Sequence, residues 1–190
     1  MSKIPIVIDT REQRPLDFRP FEDVRTVRAE IWPGDYSLLA ATRRIAIERK
    51  SVADFIGTMK SGYAGFDATT PKRFDRELLA LCGYPRRGGR AFILIEPDGR
   101  NQTALEQIRA GNYRNAIPPD KILAFIRAIR DQWLVEVVLA DSREHAARVV
   151  VDAIRPFAEM KPIRRRILIS QLNSIQQLKN QVDAQCSHKL

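Results

Sequence analysis

The chain opens on an apolar run, Ile4 to Ile8, that closes at Asp9, the pattern of a buried strand. Val24 to Ile31 alternates in part, with Val27, Ala29 and Ile31 on one side, and predicts a second strand. Pro33-Gly34 marks a turn. Tyr36 to Ala40 and Arg43 to Ile47 then read as two strands joined by the short link Ala41-Thr42. Ser51 stands where a helix N-cap belongs, with Asp54 three residues on.

The spacing shifts after that point. Residues 61–71 hold Gly62, Gly65 and Pro71 and read as a mobile loop. Lys72 to Cys82 is helical, with Phe74, Leu78 and Leu81 on one face. Ala91 to Ile95 is another buried strand, ending at Glu96, and Asn101 to Gly111 suits a short helix. Pro118-Pro119-Asp120 starts a helix whose face carries Ile122, Phe125, Ile126 and Ile129. Leu134 to Leu139 reads as a strand, and Ser142 caps a helix presenting Ala146, Val149, Val150, Ala153, Ile154 and Phe157. Strands interleaved with helices predict an α/β layer architecture.

The last segment has a different rhythm. After Pro162, apolar residues fall at Leu168, Leu172, Ile175, Leu178 and Val182, close to the spacing of a coiled-coil seam. Two domains of unequal size follow: residues 1–160 as a folded unit and residues 161–190 as a basic helical tail. That tail either docks on its own domain or pairs with a second copy in a homodimer.

Composition sharpens this picture. The chain has 190 residues, 44% of them hydrophobic, enough for a core of its own, and a net charge of +9. Such a balance favours a polyanionic partner, with nucleic acid before a membrane surface. Cys82 and Cys186 make neither a disulfide framework nor a zinc site, which fits a reducing compartment. No run approaches a membrane span or a signal peptide, so the expected location is the cytoplasm, at the nucleoid, or a nucleus.

Acidic and basic residues gather at the predicted strand ends: Asp9-Thr10-Arg11-Glu12, Gly34-Asp35, Glu48-Arg49-Lys50 and Glu96. Carboxylates from neighbouring strands, Asp35 and Glu48, can hold one hard cation through oxygen ligands. Mg²⁺ keeps several waters and takes few carboxylates, so this small set suits it. On an extended strand Glu48 and Lys50 share a face and Arg49 points away. Lys50 can then orient a water or offset charge on a phosphate under attack.

Three ordered blocks carry a resemblance. Val7-Ile8-Asp9-Thr10-Arg11-Glu12, Gly34-Asp35-Tyr36 and Glu48-Arg49-Lys50-Ser51-Val52-Ala53-Asp54 look like the nuclease signature of XPF-type structure-specific endonucleases. The similarity covers about residues 3–158. It implies a restriction-endonuclease-like core, a central mixed sheet flanked by helices. It implies a metal-dependent endonuclease that uses Mg²⁺ or Mn²⁺ to hydrolyse DNA phosphodiesters. Asp35 and Glu48 become metal ligands, with the backbone carbonyl of Arg49 and with Asp9 as a further carboxylate. Lys50 becomes the catalytic lysine. Arg11, Glu12 and Arg49 support the site, Asp54 caps the helix and braces Arg49, and Arg73 and Glu77 supply an outer layer.

Many members of that family carry a tandem helix-hairpin-helix module after the nuclease domain. Here no glycine follows Gly111, and a basic helical tail stands in its place. Arg86, Arg87, Arg90 and Arg114, with Arg164-Arg165-Arg166 at the start of the tail, form the expected DNA-binding surface. Trp32 and Trp133 are expected in the core or at a strand edge. Tyr63 and Phe66 are the aromatic candidates for a splayed strand. The expected substrate is branched, flapped or distorted DNA, in repair, recombination or a mobile element. A non-catalytic DNA-binding subunit and an RNA nuclease are the alternatives.

Overall fold

The computed structural model describes residues 3–64, 70–99, 101–111 and 117–160. Six strands form one mixed sheet: β1 (Ile4–Asp9), β2 (Val24–Ala29), β3 (Tyr36–Leu38), β4 (Ile45–Ser51), β5 (Arg90–Glu96) and β6 (Glu136–Leu139). Their order is β2-β1-β3-β4-β5-β6. β1 and β2 are parallel, as are β4, β5 and β6, while β3 runs antiparallel to both of its neighbours. Among the described residues five helices flank the sheet: α1 (Val52–Ser61), α2 (Arg73–Arg86), α3 (Ala104–Ala110), α4 (Pro119–Trp133) and α5 (Arg143–Glu159). This is the expected mixed sheet flanked by helices.

The two faces follow from strand periodicity. Ile45 and Ile47 of β4 and Phe92 and Leu94 of β5 turn to a core closed by Val150 and Ile154 of α5. The alternate residues Ala46, Ala91, Ile93 and Ile95 turn to a second core, built with Phe55 of α1, Phe74 and Leu78 of α2, and Ile122 and Ile129 of α4. The same alternation, continued along β4, sends Glu48 and Lys50 towards α2 and Arg49 towards α5. Phe55 is fully buried against Phe74 and Phe125. Truncating it to Ala would cost about 3–5 kcal/mol.

Several boundaries differ from the sequence pattern. β3 is three residues long, because the chain turns at once into a 3-10 segment, Leu39–Ala41. β4 begins later than Arg43 and continues through the charged cluster to Ser51, held by pairing with β5 out to Ser51↔Glu96. α2 runs on to Arg86 with Pro85 in its final turn. α4 ends at Leu134, which takes a left-handed φ of 56° and delays β6 to Glu136. Ser51 and Ser142 do cap α1 and α5, accepting from the amides of Asp54 and His145. Thr103 and Glu106 form a capping box on α3 that the spacing had not suggested.

Trp133 is buried as expected, but Trp32 is not: 63% of it is exposed. Tyr63 reverses in the other direction. Its ring packs edge-on to Phe125, with centroids 4.6 Å apart, so core contact claims it. Residues 65–69 of the expected loop, Phe66 among them, and the 161–190 tail lie outside the described residues. Among those described, no helix is long and apolar enough to cross a membrane.

Candidate active site

The expected site residues meet around the carboxyl ends of β1, β4 and β5, with the start of β3 between them. Asp35 is fixed by backbone. Its N–H donates to the Ile47 carbonyl at 2.8 Å, and its own carbonyl accepts from the Asp9 N–H at 2.8 Å. Gly34 permits this entry with φ +93°. A Cβ there would lie 3.0 Å from the Ile47 oxygen, so glycine is required both for conformation and for space. The Asp35 side chain then reaches across to β4 and accepts from the Arg49 N–H at 2.8 Å. That bond brings it beside the Glu48-Arg49-Lys50 stretch.

Lys50 sits between two acids. Its Nζ lies 2.8 Å from Glu48 Oε1 and 3.0 Å from Glu77 Oε2, and 5.3 Å from the centre of the Phe74 ring. α2 therefore brings Glu77 against Lys50. Burial pushes the Glu48 carboxyl well up; Asp35 and Glu77 add to this, and a hydrogen bond to Glu77 completes it. Burial also raises Asp35, to about 6, against the pull of the Arg49 amide and the Lys50 charge. Burial alone would lower Lys50, but Glu48 and Glu77 outweigh it and the net shift is upward. Lys50 is thus a resident cation.

Arg49 lies on the other face, as strand alternation requires. Its guanidinium binds Glu12 through Nη2 at 2.9 and 3.0 Å and pairs with Glu96 through Nη1. Arg143, the first residue of α5, donates to the same Glu96 oxygen at 2.6 Å and to the Pro15 carbonyl at 3.0 Å. A chain of alternating charge, Glu12–Arg49–Glu96–Arg143, thus crosses from the β1 loop to α5. It corrects the expectation for Asp54: the partners of Arg49 are Glu12 and Glu96. Asp54 is exposed and offers its amide to Ser51. Arg143 had no local signal in the sequence, since its partner Glu96 lies 47 positions away.

Asp9 is saturated. Oδ1 accepts from Arg11 N and Nε, at 2.7 and 2.9 Å; Oδ2 accepts from Arg11 Nη2 and Ile31 N, at 2.8 and 3.1 Å. The Arg11 contacts hold its carboxyl down at about 2 in spite of burial. All its lone pairs are engaged in organising the β1 end and the Ile31 loop, which leaves none for a cation in this conformation. Arg11 thus ties Asp9 to the Ile31 loop.

The acids at this end of the sheet therefore divide. Asp9, Glu12 and Glu96 are each claimed by an arginine. Among the described residues no cationic side chain pairs with Asp35, and Glu48 shares Lys50 with Glu77. Glu48 is buried and Asp35 half-buried, and both acids are short of positive charge. No cluster of three or more acids, histidines or cysteines among the described residues forms a ready-made cation cage. Two carboxylates, with waters and phosphate oxygens completing the shell, is the usual requirement of Mg²⁺. The donor set fits such an ion.

A cavity of about 550 Å³ opens beside Lys50. Its walls include Asp54, Gly57 and Thr58 of α1 and Arg73 and Glu77 of α2. A Cβ on Gly57 would meet nothing within 4 Å, so α1 presents open backbone there. Arg73, expected as an outer-layer residue, is exposed on this wall.

The remaining basic residues are elsewhere. Arg86 and Arg87 end α2, and Arg90 begins β5, whereas Glu96 closes β5 at the site. They occupy the opposite end of the sheet. Arg90 is also held by Glu136 through two bonds of 2.7 Å and covers Phe92. These expected DNA-binding arginines therefore stand apart from the site. Arg114, Arg164, Arg165 and Arg166 lie outside the described residues.

One end of a mixed sheet thus gathers a buried acid, Glu48, a half-buried acid, Asp35, and a charged lysine, Lys50. Residues 8–153 match the ERCC4 domain, so the chain belongs to the ERCC4-domain family, the XPF-type nucleases that its motif blocks resemble. Two solved structures share the fold. One is XPF from Aeropyrum pernix, at 18% identity and TM-score 0.55, covering 90% of this chain and 73% of that one. The other is XPF from Aeropyrum pernix in complex with DNA, at 17% identity and TM-score 0.58, covering 89% and 74%. No curated protein matches the chain.

Proposed function

We propose that this protein is a metal-dependent DNA endonuclease acting on branched, flapped or otherwise distorted DNA. The observation that carries the reading is the pair Asp35 and Glu48, left without arginine partners beside a charged lysine while Asp9, Glu12 and Glu96 are each held by an arginine. Asp35 and Glu48, with the Arg49 carbonyl, would hold Mg²⁺ or Mn²⁺. When bound, the ion supplies Lewis-acid charge to the phosphate and to the attacking water.

The chain's own residues do the rest. Lys50 stays protonated between Glu48 and Glu77, so it orients and neutralises rather than abstracting a proton. It sets positive charge where the five-coordinate phosphorus gathers negative charge. Glu77 aims that ammonium. A water oxygen bonds to phosphorus as the bond from phosphorus to the 3′ oxygen breaks. The water gives up a proton and the leaving oxygen gains one, leaving a 5′-phosphate and a 3′-hydroxyl. The open backbone at Gly57 and the exposed Arg73 give a phosphodiester room and charge beside Lys50. Membership of the ERCC4-domain family and the fold shared with a DNA-bound XPF support DNA as the substrate.

The test is a labelled panel of forks, flaps, junctions and plain duplex with Mg²⁺. Asp35→Asn and Glu48→Gln should each reduce cutting at least about 100-fold, the scale of a lost transition-state charge contact. Equal cutting by either variant would remove its residue from the site.

A further inference from the structure

We infer that Trp32 is a stacking platform for an unpaired base next to the cleavage site, and that it gives the enzyme a preference for DNA in which a base has left the duplex. This rests on the DNA reading above and assigns that site a recognition element.

Scattered apolar residues on a surface need no explanation. Leu39 and Leu79, at 44% and 51% exposed, are of that kind. Trp32 differs by its place. It lies in the loop that joins β2 to the Asp35 turn, and that loop is tied to the site on both sides. Before it, Ile31 donates its N–H to Asp9 Oδ2 at 3.1 Å, and its carbonyl accepts from Arg11 Nη2 at 2.6 Å. After it, Asp35 is bonded to Ile47 and Asp9. Backbone on either side of an exposed indole is thereby fixed to the residues that define the site.

The reach is suitable. Three residues separate the Cα atoms of Trp32 and Asp35 by at most about 11 Å, roughly three base steps of about 3.4 Å. A base displaced near the scissile phosphate falls within that range. An indole face takes any base, because every base has a π face, so the contact selects for unpairing rather than for sequence. Arg11, exposed for 59% of its side chain and bonded to the same loop, places a cation alongside for the adjoining phosphate. Of the two aromatics expected near a splayed strand, Tyr63 is packed edge-on against Phe125 and Phe66 lies outside the described residues.

The chain provides its own reporter. It has two tryptophans, and the second, Trp133, is 3% exposed in the core. The full-length protein is titrated, with Ca²⁺ in place of Mg²⁺, against a flapped duplex and a blunt duplex of the same sequence. Binding and intrinsic fluorescence are followed for the wild type, Trp32→Phe and Trp32→Ala. The flap should quench the wild-type emission and the blunt duplex should not. Trp32→Phe should keep flap affinity within about twofold, since it keeps a ring, yet lose the quench. Trp32→Ala should lose flap affinity roughly tenfold and keep that for blunt duplex.

Unchanged wild-type emission on flap binding overturns the inference. So does Trp32→Ala binding both DNAs like the wild type, or losing both equally. Should the alanine variant melt early, the phenylalanine comparison decides alone. Cutting is not part of this readout. A protein that binds flaps through Trp32 without ever cleaving would sink the nuclease reading and leave this one standing.

Discussion

Arg49 of β4 grips Glu12, beyond β1 and two strands away: Nη2 of the guanidinium meets both carboxylate oxygens, at 2.9 and 3.0 Å, with Nε at 3.3 Å on one of them. Both side chains are largely buried, 13% and 6% exposed. A second acid, Glu96, takes the other end of the same guanidinium. Lysine has the charge but not the planar fork, and cannot serve both acids. Arg49→Lys should therefore destabilise the fold, by up to the roughly 3–5 kcal/mol of a broken buried ion pair. Urea unfolding measures it. A variant as stable as the parent would show that the pair contributes no net stability.

Asp35 is held ionised above pH about 6 at a cost, because burial raises its carboxyl from 3.8 to about 6. The sign follows from a raised folded value. Asp35's contribution to stability is fully present below pH about 4 and is lost as pH rises through about 6. Asparagine carries no such penalty. Without metal at pH 8, Asp35→Asn should be more stable than the parent by about 2–3 kcal/mol. At pH 4 the two should converge. Thermal melts at the two pH values in EDTA read this directly.

Mg²⁺ should reverse that order. The cation stabilises only a folded state that binds it. Melting temperature should rise with Mg²⁺ in the wild type and stay flat in Asp35→Asn and Glu48→Gln. Asp9→Asn should melt lower because it drops the Arg11 and Ile31 contacts, yet still respond to Mg²⁺. A loss of response in Asp9→Asn equal to that of Asp35→Asn would return Asp9 to the ligand set.

Much of this site was legible in sequence. Strand periodicity placed Glu48 and Lys50 on one face and Arg49 on the other, and the fold agrees. The glycine before Asp35 announced a turn, and the turn is there. What local pattern could not show was the division of labour among acids. Asp9 and Asp35 look alike in a string of letters; one is surrounded by Arg11 and Ile31, the other faces a lone amide. Arg143 was invisible for the same reason, since its role depends on a contact made by the approach of α5. Trp32 was misplaced because hydrophobicity predicts burial, whereas this loop is anchored through backbone and leaves its ring outside.

Gly34 offers a stringent test of local geometry. Alanine would have to hold φ near +93° and bring its Cβ to 3.0 Å from the Ile47 oxygen. Gly34→Ala should cost about 2 kcal/mol or more. It should also weaken Mg²⁺ stabilisation, because the turn that sets Asp35 must shift. Equal stability and equal Mg²⁺ response would mean that the loop absorbs the methyl.

Glu77→Gln should move the acid limb of the rate profile. Glu77 helps raise Glu48, so its removal lets Glu48 ionise at lower pH. The pH of half-maximal rate should fall, while the plateau rate drops because Lys50 loses one of its two anchors. A profile unchanged in shape and height would show that Glu77 is a bystander.

The short antiparallel strand has a mechanical consequence. β3 joins a parallel pair on one side to a parallel triple on the other, and its residue before the strand is Asp35. The two halves of the sheet are stitched together at the very place where the cation is expected to sit. Filling the site would act as a rivet across that seam. Amide protons of Tyr36 and Leu38 should then exchange more slowly with Mg²⁺ present, and the two halves should open as one unit rather than two.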